Sequence, residues 1–501
     1  MNMKVYELLE QSGVTARNPL PADVEQLEIT GISESSLQVT NGHLFVAVSG
    51  YATDGEAYIG NAIERGASLI VTESDLTGQT TVPFIQVDNA RESLALLASA
   101  FYHNPSQDKL VIGITGTNGK TTTVLFLQHL LKKAGFEVAY FGTVYNEVNG
   151  QRYESKLTTP SATEIQASLA RSNDDVVVIE TSSQGLHQYR MAGMQFDYAL
   201  FTNLQHDHLD YHKTMEAYYQ AKKSLFSLMK PDGKAVINSY TMWGNRLAKE
   251  LEANGKQVLT VDTKKGATSY VLDKTTDTAV VAFNGQGGQI EEIEAPLSGV
   301  YNQENLILAT TVMVDLGLDA GNTNEEIADF AGIAGRLEYY PLADGNEMVV
   351  DYAHTPDAIE ALLKTLNDQY PDHDIIHIFG FRGQRDSKKF PQMVSASLIG
   401  ADLTILTTDD LNGVPKQVMA DIYLEYVTQY GLNSMAMALD RVEAVELALE
   451  MSTHPVLLVL TGKGHEAYSE ENKYGVQSDQ QVAHMFRYRQ VSYSMWNIGY
   501  Q

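Results

Sequence analysis

The sequence predicts an α/β chain of three domains: a small N-terminal α/β domain, a central P-loop-type mainly parallel sheet, and a C-terminal Rossmann-like sheet. Three observations carry this reading. From Lys109 onward, short apolar runs alternate with polar loops and helical stretches, the pattern of parallel strands covered on both faces. A second set of the same kind begins after Gly335. At 501 residues the chain is also too long for one hydrophobic core. The boundaries fall at 1–108, 109–335 and 336–501.

In the first domain, strands are expected at His43-Leu-Phe-Val-Ala-Val, Ser68-Leu-Ile-Val and Phe84-Ile-Gln-Val, with a helix over 90–103. The central domain opens with the buried-strand signature Lys109-Leu-Val-Ile, followed by a glycine-rich turn and the helical pattern Val124-Leu-Phe-Leu-Gln-His-Leu-Leu. Further strands are Asp175-Val-Val-Val-Ile-Glu, Tyr198-Ala-Leu-Phe-Thr and Ala235-Val-Ile-Asn, and a strand-rich insert with hairpin-like alternation occupies about 260–298. The third domain has strands at Met348-Val-Val-Asp-Tyr, Ile375-Ile-His-Ile-Phe, Leu403-Thr-Ile-Leu and Pro455-Val-Leu-Leu-Val-Leu. Ligands of open parallel sheets sit beyond the carboxyl ends of the strands, so the following loops are where chemistry is sought.

Composition narrows the function classes. The formal net charge of −28 repels polyanions, which excludes nucleic acid as the main partner. An anionic substrate must then meet local cations, and Lys120, Arg190, Arg336, Arg385, Lys389 and Lys463 all lie in glycine-rich or turn-like segments. Without cysteine there is no disulfide framework and no thiolate metal site. No apolar run reaches membrane-spanning length and the N-terminus lacks a signal-peptide layout, so a cytoplasmic protein without membrane insertion is expected.

The run Gly113-Ile-Thr-Gly-Thr-Asn-Gly-Lys-Thr-Thr-Thr reads as a nucleotide-phosphate cradle. Ile114 stands where the strict P-loop pattern has glycine, so this is a variant with glycines at 113, 116 and 119. Gly116, Thr117, Asn118, Gly119 and Thr122 would shape the anion site, Lys120 would reach the β and γ phosphates, and the Thr121 hydroxyl would ligate Mg²⁺. Glu180, at the end of a buried strand beside this loop, is placed to hold Mg²⁺. His206, His208 and His212 suggest zinc by number, but the flanking aspartates are hard donors and favour Mg²⁺ with phosphate oxygens.

Thr-Gly-Thr-Asn-Gly-Lys-Thr, Glu180-Thr-Ser-Ser, Phe201-Thr-Asn-Leu, Asp207-His-Leu-Asp-Tyr-His and Ala221-Lys-Lys-Ser-Leu-Phe together resemble the Mur ligase family, ATP-dependent amide-forming enzymes that build the peptide of the peptidoglycan precursor. Gly299-Val-Tyr-Asn-Gln-Glu-Asn, Gly335-Arg-Leu-Glu, Asp351-Tyr-Ala-His-Thr-Pro-Asp, Phe379-Gly-Phe-Arg-Gly-Gln-Arg-Asp and Gly462-Lys-Gly-His-Glu follow in the same order. Gly42-His-Leu-Phe-Val-Ala-Val-Ser-Gly-Tyr-Ala-Thr-Asp-Gly-Glu resembles the UDP-sugar-binding domain of the MurE type. The resemblance extends from about Thr30 to Asp479.

It implies that Lys120, Thr121 and Glu180 hold ATP and one Mg²⁺, that His208 binds a second Mg²⁺, and that Lys222 carries a CO₂-derived carbamate beside it. Asn302, Arg336, Asp351 and His354 would contact the nucleotide. Ser35, Thr158, Thr159, Ser182 and Arg190 would grip a UDP-N-acetylmuramoyl-dipeptide, and Arg385, Asp409, Asp410, Asn412, Gly462 and Glu466 the free amino acid. The implied reaction forms an acyl phosphate that an amine then displaces, in an enzyme expected to act as a monomer.

Three departures stand out. Where diaminopimelate-adding members have Asp-Asn-Pro-Arg, this chain has Asp409-Asp-Leu-Asn412, and the missing arginine favours L-lysine, with Asp409 or Asp410 attracting its ammonium. Gly462-Lys-Gly-His-Glu466 points instead to diaminopimelate. Glu34-Ser-Ser36 replaces Asp-Ser-Arg at the UDP site, and Gln184 replaces a histidine. The competing readings are a folylpolyglutamate or cyanophycin synthetase and a catalytically silent ATP-binding paralogue.

Overall fold

The computed structural model describes residues 2–50, 54–275, 277–284, 289–452, 455–470, 472 and 474–487. Residues 51–53 of the N-terminal motif and 488–501 of the third expected domain lie outside the described residues. The chain forms two compact units, each drawn from three segments: Met1–Gly116, Leu127–Thr202 and Tyr219–Thr260 in the first, and Thr117–Phe126, Asn203–Tyr218 and Val261–Gln501 in the second.

The first unit begins with a two-stranded pair, β1 (Met3–Lys4) and β2 (Glu28–Ile29), and a four-stranded parallel sheet of β3 (Gly31–Ser33), β4 (His43–Val46), β5 (Ala67–Thr72) and β6 (Phe84–Gln86) in that order. Alternate residues of a strand face opposite sides. Leu44, Val46, Leu69, Val71 and Ile85 accordingly enter one core, against the helices Val5–Ser12 and Ala90–Phe101. Phe45, Ala47 and Ile70 enter the other, with Ala62 from the helix Ile59–Glu64. Both faces are apolar because both are covered, which is why these strands read as continuous apolar runs.

The larger sheet of this unit has the order β10-β9-β8-β11-β7-β12-β13-β14, from β7 (Leu110–Thr115), β8 (Val138–Phe141), β9 (Tyr145–Val148), β10 (Gln151–Glu154), β11 (Val176–Glu180), β12 (Phe196–Phe201), β13 (Met229–Asn238) and β14 (Gln257–Asp262). The strands β8, β11, β7, β12 and β13 are mutually parallel. The β9–β10 hairpin was not expected, although Asn149-Gly150 is a strong two-residue hairpin signal and both residues have the positive φ such a turn needs (52° and 72°). Gly113 lies inside β7 rather than in the loop after it. A Cβ there would meet Phe196 Cε1 at 2.6 Å, so this glycine serves strand packing and not anion binding.

In the second unit the insert appears as β15 (Ser269–Lys274), β16 (Thr278–Phe283) and β17 (Gln289–Glu294), antiparallel to one another, with Val261 and Asp262 pairing in parallel to β15. The helix Val300–Asp315 packs on this insert.

The C-terminal sheet has the order β18-β19-β23-β20-β21-β22, from β18 (Glu338–Pro341), β19 (Glu347–Val350), β20 (Asp374–Phe379), β21 (Leu403–Leu406), β22 (Met435–Met437) and β23 (Val456–Leu460). Only β18, at the edge, is antiparallel. Ile375, Phe379, Leu406, Leu457 and Val459 face one core, and Ile376, Ile378, Ile405, Leu458 and Leu460 the other. Placing β23 between β19 and β20 makes the loops after four adjacent strands neighbours: 351–355, 461–466, 380–386 and 407–412.

Candidate active site

In the first unit, β7 and β11 end side by side, and Thr181 N–H donates to the Ile114 carbonyl at 2.8 Å. Glu180 is fully buried at the tip of β11. Tyr140 OH donates to its Oε1 at 2.9 Å, Thr143 N–H to the same oxygen at 2.9 Å and Thr143 Oγ1 to Oε2 at 3.0 Å, so the carboxylate is oriented by a built cradle. Beside it, Thr159 Oγ1 donates to the Glu180 carbonyl at 2.7 Å and lies 3.1 Å from Ser182 Oγ. Thr158 Oγ1 is 3.2 Å from Thr143 Oγ1, and Arg190 Nη1 donates to the Thr159 carbonyl at 2.7 Å. Four expected substrate residues therefore gather around Glu180.

Lys222 is 1% exposed, and its Nζ donates to the Gly116 carbonyl at 2.6 Å, in the glycine-rich loop itself. A buried ammonium is costly without partners, and the Gly116 carbonyl is one that meets it. Ser35 N–H is capped by Ser33 Oγ at 3.1 Å, and the neighbouring Glu34 carboxylate accepts from Thr163 Oγ1 at 2.7 Å.

In the second unit, the helix Lys120–Lys133 starts four residues earlier than the apolar pattern suggests, which puts Lys120, Thr121 and Thr122 in its first turn, where backbone N–H groups and the helix dipole favour an anion. Gly119 has φ +83°, and a Cβ there would meet Asn305 Oδ1 at 2.4 Å, so only glycine fits. Lys120 Nζ donates to the Thr117 carbonyl at 2.8 Å. Asn118 Nδ2 donates to Gln205 Oε1 at 2.6 Å and to Thr355 Oγ1 at 3.1 Å, fixing the loop to two neighbouring segments.

The three clustered histidines diverge: His206 lies 2.8 Å from Asp386 Oδ2, His212 stacks on Tyr218, and His208, with a left-handed φ of 54°, lies 3.4 Å from Asp207 Oδ2. Among the described residues no three His, Cys, Asp or Glu side chains form a ready-made ion site. Any ion here would take oxygens from elsewhere, such as Thr121 and bound phosphate, which suits Mg²⁺ rather than zinc. Asp207, unassigned from sequence, is buried between Lys389 Nζ at 3.0 Å and His354 Nε2 at 3.5 Å. Burial alone would raise its carboxyl, but His208, Lys389 and His354 together hold it well below the usual carboxylate range.

Of the expected nucleotide contacts, Asn302 is buried with its amide donating to the Ser298 carbonyl, and Arg336 lies over the Tyr352 ring at 4.2 Å. Both Asp351 oxygens accept backbone N–H groups, from Leu337 and Ala353, so this carboxylate holds the turn that presents Arg336. Arg385 is 3.8 Å from Asp210.

The amino-acid loops correct one expectation. Asp409 and Asp410 are not free to attract an ammonium unopposed: Arg382 Nε lies 3.3 Å and 3.9 Å from their carboxylates, Lys463 Nζ donates to Asp410 at 2.6 Å, and Arg441 is 3.8 Å from Asp409. Glu466 pairs with Arg382 and accepts from Tyr352 OH at 2.6 Å. Burial would raise Glu466, but Arg382 holds it below the ordinary range. Sequence reasoning missed Arg382, for which the only signal was one more arginine in Phe379-Gly-Phe-Arg-Gly-Gln-Arg.

Three family models match in chain order: "Mur ligase family, catalytic domain" over 28–102, "Mur ligase middle domain" over 114–313 and "Mur ligase, glutamate ligase domain" over 335–464. The chain is 36% identical over 477 residues to the UDP-N-acetylmuramoyl-L-alanyl-D-glutamate–2,6-diaminopimelate ligase of Gloeobacter violaceus, covering 93% of this chain and 94% of that one. A solved structure of a ligase of the same name is 28% identical, covers 98% of this chain and 99% of that one, and superposes with a TM-score of 0.67. Folylpolyglutamate synthase of Mycobacterium tuberculosis, complexed with ADP and AMPPCP, shares the fold at 19% identity and a TM-score of 0.61, but over 74% of this chain and 92% of its own. The extent and order of these matches show that the chain belongs to the Mur ligase family.

Proposed function

We propose that this protein is an ATP-dependent amide ligase that joins a diamino acid to UDP-N-acetylmuramoyl-L-alanyl-D-glutamate in peptidoglycan precursor synthesis. The observation that carries the reading is the 36% identity, along nearly the whole of both chains, to a ligase named for that reaction. The names of the relatives favour diaminopimelate over the L-lysine expected from the 409–412 loop. The segment 28–102, matched by a Mur family model, favours this reading over a folylpolyglutamate synthase, whose solved structure covers only 74% of the chain.

The reaction proceeds in two steps. The substrate carboxylate attacks the γ-phosphorus of ATP, ADP leaves, and an acyl phosphate forms. The amine of the incoming amino acid then adds to the acyl carbon, and collapse of the tetrahedral intermediate expels phosphate and leaves the amide. Two anions meet in the first step, so cationic and helix-terminal groups around the phosphates and in-line positioning supply most of the acceleration.

Lys120 and the N–H groups of the Lys120–Lys133 helix bind the phosphates, with Gly116, Thr117, Asn118, Gly119 and Thr122 shaping the cradle. Thr121, Glu180, His208 and a carbamate on Lys222 would hold Mg²⁺, which when bound would supply charge neutralisation for the reacting anions. The Lys222 carbamate would turn a buried cation into an oxygen donor, consistent with the burial of that side chain. Asn302, Arg336 and His354 face the nucleotide, with Asp351 holding the turn. Ser35, Thr158, Thr159, Ser182 and Arg190 hold the UDP-linked substrate. Arg385, Asp409, Asp410, Asn412, Gly462 and Glu466 form the amino-acid site. The segments 1–108, 109–335 and 336–501 divide these tasks in a cytoplasmic monomer.

The test is phosphate release by the purified chain with Mg-ATP and UDP-N-acetylmuramoyl-L-alanyl-D-glutamate, against diaminopimelate, L-lysine, L-ornithine and no amino acid. Turnover with one amine and the matching amide product is expected; silence with every amine would defeat the reading.

A further inference from the structure

We propose that Arg382 is the receptor for the distal carboxylate of the incoming amino acid, supplying from the loop after β20 the guanidinium that the 409–412 loop lacks. The proposal rests on the ligase reading above and names the residue that selects its amino acid.

The position of Arg382 is fixed by backbone geometry. Gly383 N–H donates to the Asp410 carbonyl at 2.8 Å, and Asn412 Nδ2 donates back to the Gly383 carbonyl at 2.9 Å. Asn412, which stands where an arginine would reach a carboxylate, thus ties its loop to the residue next to Arg382. On the other side, Phe381 is fully buried, stacked on Phe390 with ring centroids 4.1 Å apart, and its N–H donates to Tyr423 OH at 3.2 Å. A guanidinium carried on so anchored a backbone is preorganised, and little further freedom is lost when it binds.

Its donors are incompletely used. Nη2 donates to the Gly462 carbonyl at 3.2 Å and to Glu466. Nε is buried without a hydrogen bond, its approach to Asp409 being an ion pair only, and Nη1 has no acceptor among the described residues. Nε is shut off from solvent, whereas the side chain as a whole is 20% exposed, which leaves Nη1 as the donor that an incoming acceptor can reach. A distal α-amino-carboxylate meets both halves of this arrangement: its carboxylate oxygens accept from Arg382, and its ammonium donates to Glu466, which sits on the same guanidinium. Lysine offers an ammonium but no acceptor for Arg382 Nη1. A charge-assisted hydrogen bond from a preorganised guanidinium is a contact that only the substrate with a distal carboxylate can make, and it therefore separates the two.

The experiment uses the full chain with Mg-ATP and the UDP-linked dipeptide. Hydroxylamine in place of an amino acid captures the acyl phosphate as a hydroxamate and frees phosphate, without any distal group to recognise. If the wild-type chain forms no hydroxamate, the ligase reading falls and this proposal with it. If it does, the wild type should prefer diaminopimelate to L-lysine. Arg382→Ala should raise the KM for diaminopimelate by ~50-fold while moving the kinetics with lysine far less, and Arg382→Lys should recover part of the loss. Should Arg382→Ala fail to fold, the distal monoamide of diaminopimelate tests the same contact on the wild type, with a comparable loss expected. A wild type that prefers lysine, an equal loss with both amino acids in Arg382→Ala, or a monoamide that serves as well as diaminopimelate would overturn the role of Arg382 and leave the ligase reading standing.

Discussion

Two lysines near the glycine-rich loop show how much a single side chain is asked to do. Lys120 sits in the first turn of its helix with its ammonium on the Thr117 carbonyl. Lys120→Ala is therefore expected to remove ATP-dependent phosphate release while leaving thermal unfolding within about 0.5 kcal/mol of wild type; normal turnover would refute the phosphate-cradle assignment. Lys222 is different, being buried with its Nζ on the Gly116 carbonyl. Lys222→Ala is expected to lower activity strongly and to regain part of it with a short carboxylic acid, which would replace the oxygen donors of the proposed carbamate. The measurement is initial rate against added acetate, and indifference to acetate would argue for a lysine that only braces the loop. Lys120 and Glu180 were open to proposal from sequence because each belongs to a local signature, the glycine-rich turn for one and the end of an apolar strand for the other. Arg382 was not, because nothing beside it in sequence shows that Glu466, 84 residues away, is its partner.

Elements explain how those residues are held. Gly113 in β7 faces Phe196 and Leu225, and the space is filled. Gly113→Val should cost about 1–3 kcal/mol by overpacking, read as a lower midpoint in urea; an unchanged midpoint would mean that Phe196 has room to move. The helix Met215–Lys223, which ends beside Lys222, is anchored by Glu250: its carboxylate accepts from Tyr219 OH at 2.8 Å, Lys223 Nζ at 2.6 Å and Arg246 Nε at 2.7 Å. Burial opposes the charge, but these three donors bring its pKa down to about 2. A carboxylate whose folded pKa is depressed contributes stability above its unfolded value, near 4.5, and loses it as pH falls toward 2. Glu250 is 28% exposed, so solvent screening limits the contribution to roughly 1 kcal/mol. Glu250→Gln should thus be less stable than wild type at pH 7, with the gap closing as pH falls from about 5 to about 2; a gap still undiminished at about pH 2 would mean that the loss is one of packing. At this scale the strands were readable from their apolar runs, and the error was to pass over Asn149-Gly150, a turn signal strong enough to predict the β9–β10 hairpin.

At the scale of the whole molecule, the formal net charge of −28 is a destabilising field that salt screens. Raising KCl from about 10 mM to about 200 mM is expected to lift the melting temperature by a few degrees; a flat or falling response would show that local ion pairs outweigh the net repulsion. The sequence by itself determined the α/β class, the glycine-rich cradle and the family resemblance, because strand alternation, turn chemistry and ordered motifs are written in neighbouring residues. Only the tertiary structure decided which loops share a site. The order β19-β23-β20-β21 brings together loops from distant parts of the chain, and it is this arrangement that sets Arg382 against Asp409, Asp410 and Glu466. Ion pairing acts through space over a few ångströms and is blind to separation along the chain, so the charge of the proposed amino-acid site was settled by strand order rather than by any one motif.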